Sequence, residues 1–160
     1  MLTTPTIRGF TPEDLDAVLA IQSSSPGSAR WSRADYEQVL RGDFAGWIAE
    51  FETGIRGFAV ARRMADEIEI LNLAVAADVR RTKIGTALLR EAMQWGKEGR
   101  AHRAFLEVRD TNFAAILFYE RNGFLGVGRR RHYYANPEED ALLLACPLIP
   151  ERAAIARSAD

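Results

Sequence analysis

The pattern of apolar and polar positions is typical of strands in three consecutive segments near the middle of the chain. Trp47–Glu52 and Ile55–Arg62 flank Thr53-Gly54, which predicts two strands joined by a hairpin turn. Glu67–Val75 alternates at its start and is then almost wholly apolar. That change predicts a strand that enters the buried centre of a sheet.

Apolar residues at helical spacing predict four helices. In a long one, Ile84, Leu88, Ala92 and Trp95 lie on one face, and Gly99 follows as a natural stop. The helices begin near Pro12, Ser32, Lys83 and Asn112, and the last three end near Gly42, Glu98 and Arg121. The strands are Thr6–Phe10, Trp47–Glu52, Ile55–Arg62, Glu67–Val75, Arg103–Val108, Phe124–Tyr134 and Ala141–Leu148. The order β-α-α-β-β-β-α-β-α-β-β predicts an α/β fold with a mixed sheet.

Length and charge narrow the class of protein. A chain of 160 residues predicts one domain, expected over residues 1–150, with a C-terminal tail over residues 151–160. The formal net charge of -1 gives no reason to expect a nucleic-acid partner. The N-terminus lacks the features of a signal peptide, and no apolar run is long enough to span a bilayer. We therefore expect a cytoplasmic protein without a membrane partner.

The cysteine and histidine content argues against two kinds of site. Cys146 is the only cysteine, so an internal disulfide cannot form and a thiolate metal site is not expected. His102 and His132 are the only histidines, which argues against a His-rich metal centre. We predict no bound metal, a core position for Cys146 and a surface position for His102.

A basic loop lies where the buried strand passes into the long helix, with the sequence Arg80-Arg81-Thr82-Lys83-Ile84-Gly85-Thr86. A helix N-terminus offers free backbone N–H groups and the positive end of the helix dipole, which suit a pyrophosphate. Gly85 lets the backbone approach a phosphate without a Cβ in the way. The alternative is a solvated basic loop before an amphipathic helix, and the loop alone does not decide between the two.

Two segments downstream make the pattern specific. They are Leu106-Glu107-Val108-Arg109 and Asn112-x-x-Ala115-x-x-Phe118-Tyr119-x-x-x-Gly123-Phe124. Together with Asn72-Leu73-Ala74-Val75 and the basic loop, they resemble the GNAT superfamily of N-acetyltransferases. Arg130–Tyr134 and Glu139-Asp140 extend the resemblance to the bacterial RimI type, the ribosomal-protein-alanine N-acetyltransferases. The resemblance covers residues 67–148 well.

The resemblance implies a GNAT fold, which has a mixed, mostly antiparallel central sheet of six to seven strands flanked by about four helices. It also implies acetyl-CoA as the acyl donor. The backbone of Leu73-Ala74-Val75 would hold the pantetheine arm, with the Val75 N–H facing the thioester oxygen, and the loop amides would hold the pyrophosphate. The implied cofactor-binding residues are Leu73, Ala74, Val75, Arg80, Arg81, Thr82, Lys83, Ile84, Gly85, Thr86 and Asn112.

The loop departs from its family at one position. The family pattern is [RQ]-x-x-G-x-[GA], and Lys83 stands where the first glycine is expected. If this position requires a positive φ, a lysine is strained there. If it does not, the lysine N–H can still bind a phosphate, and its ammonium group adds positive charge.

For catalysis, the resemblance implies Glu107 as the general base and Tyr119 as the general acid. Glu69 is a rival base on the preceding strand and ranks second. The residues taken alone favour a plainer interpretation, in which Glu107 is a strand residue paired with Arg103 or Arg109. Tyr119 would then be a helix residue packed against the sheet, with its hydroxyl in water.

Two further groups remain open at this point. Arg129-Arg130-Arg131 is either a solvated strand rim or a contact for an acidic acceptor or the cofactor phosphates. Tyr133 and Tyr134 either line the acceptor groove or pack the last hairpin.

The acceptor that the resemblance implies is a protein N-terminus, such as the N-terminal alanine of a ribosomal protein. Near neutral pH this choice is chemically plausible, because an α-amine has a reference pKa of about 7.7–8.0 and lysine about 10.4. The alternatives are a small-molecule amine or a lysine as acceptor, or an acyl-CoA-binding regulatory module without turnover. We expect a monomer or a homodimer.

Overall fold

The structure is a computed structural model that describes residues 3–149. The elements are β1 (Thr6–Gly9), α1 (Leu15–Ser23), α2 (Arg33–Val39), β2 (Phe44–Phe51), β3 (Gly54–Met64), β4 (Glu67–Val75), α3 (Ile84–Glu98), β5 (Arg103–Arg109), α4 (Phe113–Arg121), β6 (Leu125–Tyr134) and β7 (Glu139–Pro147). Short 3-10 turns at Pro12–Asp14 and Ala77–Val79 precede α1 and α3. The element order is therefore the predicted one. Across residues 3–149, no helix is both long enough and apolar enough to cross a membrane.

The strands form a seven-stranded sheet in the order β1-β2-β3-β4-β5-β7-β6. β4 and β5 run parallel, whereas β1 with β2, β2 with β3, β5 with β7, and β6 with β7 run antiparallel. The predicted mixed, mostly antiparallel sheet with four α-helices is confirmed for the described residues.

The chain divides into two compact units that interleave along the sequence. The first contains the described residues up to Arg63 together with Ile70–Trp95. The second contains Met64–Glu69 and the described residues from Gly96 onwards. The basic loop belongs to the first unit, and Glu107 and Tyr119 belong to the second.

In the first unit, a partly buried ion pair ties β1 to the start of α1. The two terminal nitrogens of the Arg8 guanidinium each donate to one carboxylate oxygen of Asp14, both at 2.8 Å, and its Nε donates to Glu50 at 2.8 Å. The bond from Arg8 is the main reason that the pKa of Asp14 lies below its ordinary value. Thr11 N–H also donates to Asp14, so one carboxylate closes the turn and holds the strand.

A buried hydrogen-bond network holds the segment between α1 and α2. The Tyr36 hydroxyl, fully buried, donates to Gln22 Oε1 and accepts from Asn72 Nδ2 at 3.0 Å. Asn72 also exchanges two bonds with the backbone of Ala29, and Gln22 exchanges two with the backbone of Trp31. The side chain of Asn72 therefore forms its hydrogen bonds in the interior of the first unit. In the sequence, Asn72 directly precedes Leu73–Val75, the predicted pantetheine strand.

The long helix α3 packs closely on the sheet of the first unit. A Cβ placed on Gly57 of β3 would lie 3.1 Å from Leu88 Cδ1 and 3.4 Å from both Ile84 Cγ2 and Ala74 O. A larger residue at Gly57 would push this helix away. The fit fixes the position of the N-terminus of α3, and with it the basic loop.

The basic loop has two non-glycine residues in the left-handed region. Arg81 has a φ of 65° and Lys83 a φ of 66°. The position at which the family pattern has its first glycine therefore does have a positive φ in this chain. A left-handed residue other than glycine costs about 1–2 kcal/mol, so Lys83 is strained.

Removal of the Tyr36 hydroxyl tests the buried network. In Tyr36→Phe, Gln22 and Asn72 each lose one of their partners inside the protein, and we expect unfolding free energy to fall by about 1–2 kcal/mol. Urea denaturation of the purified protein measures the change. Ser23→Ala removes an exposed hydroxyl bonded to Ala20 O and is the control, expected within ~0.5 kcal/mol of wild type. A Tyr36→Phe protein as stable as that control would contradict the assigned network.

Because Lys83 is strained, we expect a glycine at this position to give a more stable protein than an alanine, which is the reverse of their usual order in a helix. Lys83→Gly relieves the left-handed backbone and Lys83→Ala does not, so we expect the glycine variant to be more stable by roughly 0.5–1 kcal/mol. Both variants lose the same charge, which cancels in the comparison. The control pair is Arg90→Gly and Arg90→Ala at an exposed position inside α3, where alanine should be better by about 1 kcal/mol. The same order at both positions in chemical denaturation would show that Lys83 is not strained.

Candidate active site

The first unit presents backbone N–H groups at the start of α3. The first helical hydrogen bond runs from Ala87 N–H to Lys83 O at 3.0 Å, so the amides of Ile84, Gly85 and Thr86 precede it. These amides lie in the first turn, where intrahelical partners are missing and the helix dipole is positive. The arrangement is the one that binds phosphate groups at helix N-termini.

Charge and local hydrogen bonds shape the loop before this helix. Arg80, Arg81 and Lys83 are all exposed, so their cationic groups face solvent. Arg80 Nε donates to Val75 O at 3.1 Å, and the Thr82 hydroxyl donates to Val79 O. The loop therefore combines a fixed backbone path with three positive charges, which favours an anionic ligand.

The predicted pantetheine strand lies in the same unit. Leu73 and Val75 are half-buried, and Ala74 between them is buried. Arg80 Nε donates to the carbonyl oxygen of Val75. This bond does not involve the Val75 N–H, which is the group that the thioester oxygen would require. Nothing in this arrangement opposes the predicted role of the strand, which remains a prediction.

In the second unit, the register of β5 with β7 decides which side chains share a face. Glu107 lies opposite Leu143, Phe105 opposite Ala145, and Arg109 opposite Ala141. Leu106 and Val108 point to the other face and are buried. Glu107 therefore belongs to the less buried face of this strand, with 13% of its side chain exposed.

The partner of Glu107 comes from two strands away. Arg130 of β6 lies opposite Ala141 of β7, and its Nε reaches Glu107 Oε1 at 3.0 Å. Ala141 carries only a methyl group at this register position. The expected partners are wrong, because Arg103 pairs with Glu67 at 2.9 Å and Arg109 pairs with Glu139 at 2.7 Å.

Tyr133 is the second group on Glu107. A side-chain hydrogen bond with Glu107 is the main cause that raises the pKa of the Tyr133 phenol, and burial adds to it. The strand is irregular between Arg130 and Tyr134, where His132 has a φ of 52°. Regular alternation would direct Tyr133 to the opposite face from Arg130, so this irregularity is what brings Tyr133 to Glu107.

Glu69 and Tyr134 complete the same surface. Glu69 is buried and lies opposite Phe105 in the parallel pair of β4 and β5, and its charge also raises the pKa of Tyr133. Burial, followed by the charge of Glu107, raises the pKa of Tyr134 to about 12. Both candidate bases therefore lie on one face with both tyrosines.

Tyr119 lies in a different environment. Its side chain is buried on α4, and its ring contacts Phe118 and Phe124 edge-on. Burial raises the pKa of its phenol. A Cβ on Gly123, just beyond the helix, would lie 3.4 Å from Cys146 Sγ, and Cys146 is opposite Ala104 in the register. The end of α4 therefore covers the face of β5 that Glu107 does not use.

Asn112 caps α4 instead of forming its first residue. Its Oδ1 accepts from Ala115 N–H at 3.3 Å, and its backbone carbonyl accepts from Ile116 N–H. The amide nitrogen is then the side-chain group that could donate to a ligand. The predicted contact of Asn112 with the cofactor remains a prediction, and the capping role is one that the sequence analysis missed.

The arginine run splits between the two faces. Arg129 bridges Asp110 and Asp140, both at 3.0 Å, whereas Arg130 contacts Glu107. Arg129 is thus a structural residue of the last hairpin. Neither of the two earlier interpretations of this run included an ion pair between an arginine and the candidate base.

One group of side chains could hold a cation. Asp66, Glu67 and His102 place their ligand atoms within 4.8 Å of one another. Arg103 already pairs with Glu67, and that positive charge opposes a metal ion there. His102 is exposed and Cys146 is buried, as predicted.

Comparisons with known proteins agree with this architecture. The profile of the Acetyltransferase (GNAT) family matches residues 13–124. The chain is 31% identical over 145 residues to a putative [ribosomal protein bS18]-alanine N-acetyltransferase of Bacillus subtilis, covering 90% of this chain and 96% of that one. It is 38% identical over 120 residues to an N-alpha-acetyltransferase of Sulfurisphaera tokodaii, covering 74% and 71%.

A solved structure shows the same fold. The ribosomal-protein-S18-alanine N-acetyltransferase from Escherichia coli superposes with a TM-score of 0.81 at 29% identity, over 90% of this chain and 94% of that one. The family profile spans most of the chain, including the basic loop and the segment from Glu107 to Phe124. The protein therefore belongs to the Acetyltransferase (GNAT) family and is an N-acetyltransferase of that type.

Proposed function

We propose that this enzyme transfers the acetyl group of acetyl-CoA to the α-amine at a protein N-terminus. The observation that supports this most directly is the surface around Glu107, where carboxylates and tyrosines surround a position suited to a cationic amine. The named relatives support the same kind of acceptor, because they are N-alpha-acetyltransferases and bS18-alanine N-acetyltransferases.

The basic loop would hold the acyl donor. In this proposal the amides from Arg81 to Thr86 bind the pyrophosphate, and Arg80, Arg81 and Lys83 supply positive charge. The backbone of Leu73–Val75 would bind the pantetheine arm, and Asn112 would donate from its amide nitrogen. The backbone N–H groups that precede the first helical hydrogen bond of α3, and the exposed positive charges of the loop before it, support this assignment.

Glu107 would act as the general base. The amine nitrogen attacks the thioester carbonyl carbon, so that a C–N bond forms and the C–S bond breaks. The proton lost by the amine passes to the Glu107 carboxylate, directly or through a water molecule. A single carboxylate suffices for an α-amine, whose reference pKa of about 7.7–8.0 leaves a fair fraction neutral near pH 7.

Tyr119 would act as the general acid on the departing sulfur. Its burial raises the pKa of the phenol, which keeps the hydroxyl protonated at neutral pH and able to donate. The base acts on nitrogen and the acid on sulfur, so the two side chains need not touch.

The acceptor is tested with synthetic peptides. Peptides with a free N-terminal alanine, the same peptides with a blocked N-terminus and an internal lysine, and small polyamines are incubated with acetyl-CoA. Mass spectrometry should find acetylation on the free α-amine, because the blocked peptides offer only amines that are almost wholly protonated near pH 7. Modification of lysines or polyamines alone would refute the proposed acceptor, and cofactor binding without any product would indicate a regulatory module.

The catalytic roles are tested by near-isosteric substitutions. We expect Glu107→Gln and Tyr119→Phe each to lower kcat by roughly 10²- to 10⁴-fold, since each removes a proton-transfer group and little volume. Calorimetric binding of acetyl-CoA should be retained. Glu91→Gln, on the exposed side of α3, is the matched control, and Glu69→Gln tests the rival base. Normal turnover in both principal variants would exclude both residues from the mechanism.

A further inference from the structure

The candidate base already carries a cation. The Arg130 guanidinium lies 3.0 Å from Glu107, and 55% of the arginine side chain is exposed against 13% for the glutamate. An ionised carboxylate that is largely withdrawn from water is unfavourable without a partner, whereas a half-exposed arginine can return to water at small cost. The pair is therefore asymmetric. Glu107 needs a cation, whereas release of Arg130 costs one exposed ion pair and a contact 5.6 Å from the Tyr133 ring centroid.

The neighbouring arginines on this surface are paired with carboxylates other than Glu107. Arg103 is engaged by Glu67, and Arg109 is engaged by Glu139 and lies 4.4 Å from the Tyr134 ring centroid. Glu69 and Tyr133 face the same surface and bring no positive charge of their own. Of the arginines on this face, Arg130 is the one whose ion pair with Glu107 the structure shows.

We propose that Arg130 is a specificity-determining residue, whose guanidinium occupies the cation position on Glu107 and is displaced by the ammonium group of the acceptor. This rests on the proposed role of Glu107 as the base. A protonated α-amine that enters exchanges with Arg130 on the carboxylate, so that Glu107 keeps a cationic partner while the acceptor binds. The bound ammonium then loses one proton to solvent, and Glu107 takes the second proton as the C–N bond forms and the C–S bond breaks. The arginine then extends into solvent from β6, the last strand in the sheet order.

Because of this exchange, an acceptor must displace Arg130 from Glu107 before it can bind. A compact ammonium that also meets Tyr133 can replace the guanidinium, because it forms short bonds to the carboxylate and the phenol oxygen together. A neutral molecule cannot replace it, because Glu107 would be left unpaired. Arg130 thus makes acceptor binding a competition between two cations, and not the filling of an empty anionic site.

The competition is measured with charge-removing and charge-keeping variants. With an α-amine peptide as acceptor, Arg130→Met should lower the acceptor KM by roughly 1.5- to fivefold, the range for loss of one partly exposed ion pair. Arg130→Lys keeps a competing cation and should stay close to wild type. Arg129→Met removes the neighbouring arginine, which is engaged by Asp110 and Asp140, and should leave the acceptor KM unchanged.

A free guanidinium ion provides a readout that a purely structural role would not move. Methylguanidinium should inhibit Arg130→Met competitively against the acceptor, at concentrations well below those needed for wild type, where the position is already filled. Thermal unfolding checks that each variant is folded, and Arg130→Gln provides the same loss of charge where Arg130→Met does not fold.

The outcomes separate the explanations. A raised acceptor KM in Arg130→Met would show that Arg130 binds the acceptor, and a fall in kcat alone would show that it only orients Glu107. Each result, like an unchanged KM, overturns the competition. Failure of the proposed function is distinct, because wild type would then not acetylate α-amine peptides, or Glu107→Gln would turn over normally, and both proposals would fall.

Discussion

The pairing of β5 with β7 is the constraint on which the second unit depends. Because strand side chains alternate, one register places Phe105, Glu107 and Arg109 on one face and Leu106 and Val108 on the other. A shift by one residue would bury the candidate base beneath α4 and expose the apolar core. The same hydrogen bonds that stabilise the sheet therefore also decide on which face of β5 the proposed base Glu107 lies.

Of the three ion pairs described on this face, two join neighbouring strands and one does not. Glu67 with Arg103 joins β4 to β5, and Glu139 with Arg109 joins β7 to β5, so each of these pairs connects neighbouring strands. Glu107 with Arg130 instead spans an intervening strand. The short pairs stabilise the packing of the strands, whereas the long pair depends on an extended and exposed side chain. Its arginine is the most exposed of the three, and this pair is the one at the proposed base.

Much of this arrangement could be predicted from local sequence, and what could not has identifiable physical causes. The order of elements follows from periodicity, and β4 was predicted to the residue because its pattern is unambiguous. The pairing of Arg130 with Glu107 could not be predicted, since it depends on the sheet order. The position of Tyr133 depends on an irregular stretch of β6 that alternation alone does not show. Asn72 stands within a family motif, yet its side chain serves the buried network around Tyr36.

The positive φ angles of Arg81 and Lys83 affect the entropy that the basic loop would lose when it binds a ligand. A glycine at such a position samples many backbone conformations before binding, and ordering them costs entropy. At Lys83 the Cβ disfavours the left-handed conformation, so the close packing of α3 on Gly57 must hold the loop in the path that the structure shows. The loop thus has less conformational freedom, and the backbone of Lys83 is strained. A phosphate that arrives would meet amides already in place, so less of the binding free energy would be spent on ordering the backbone.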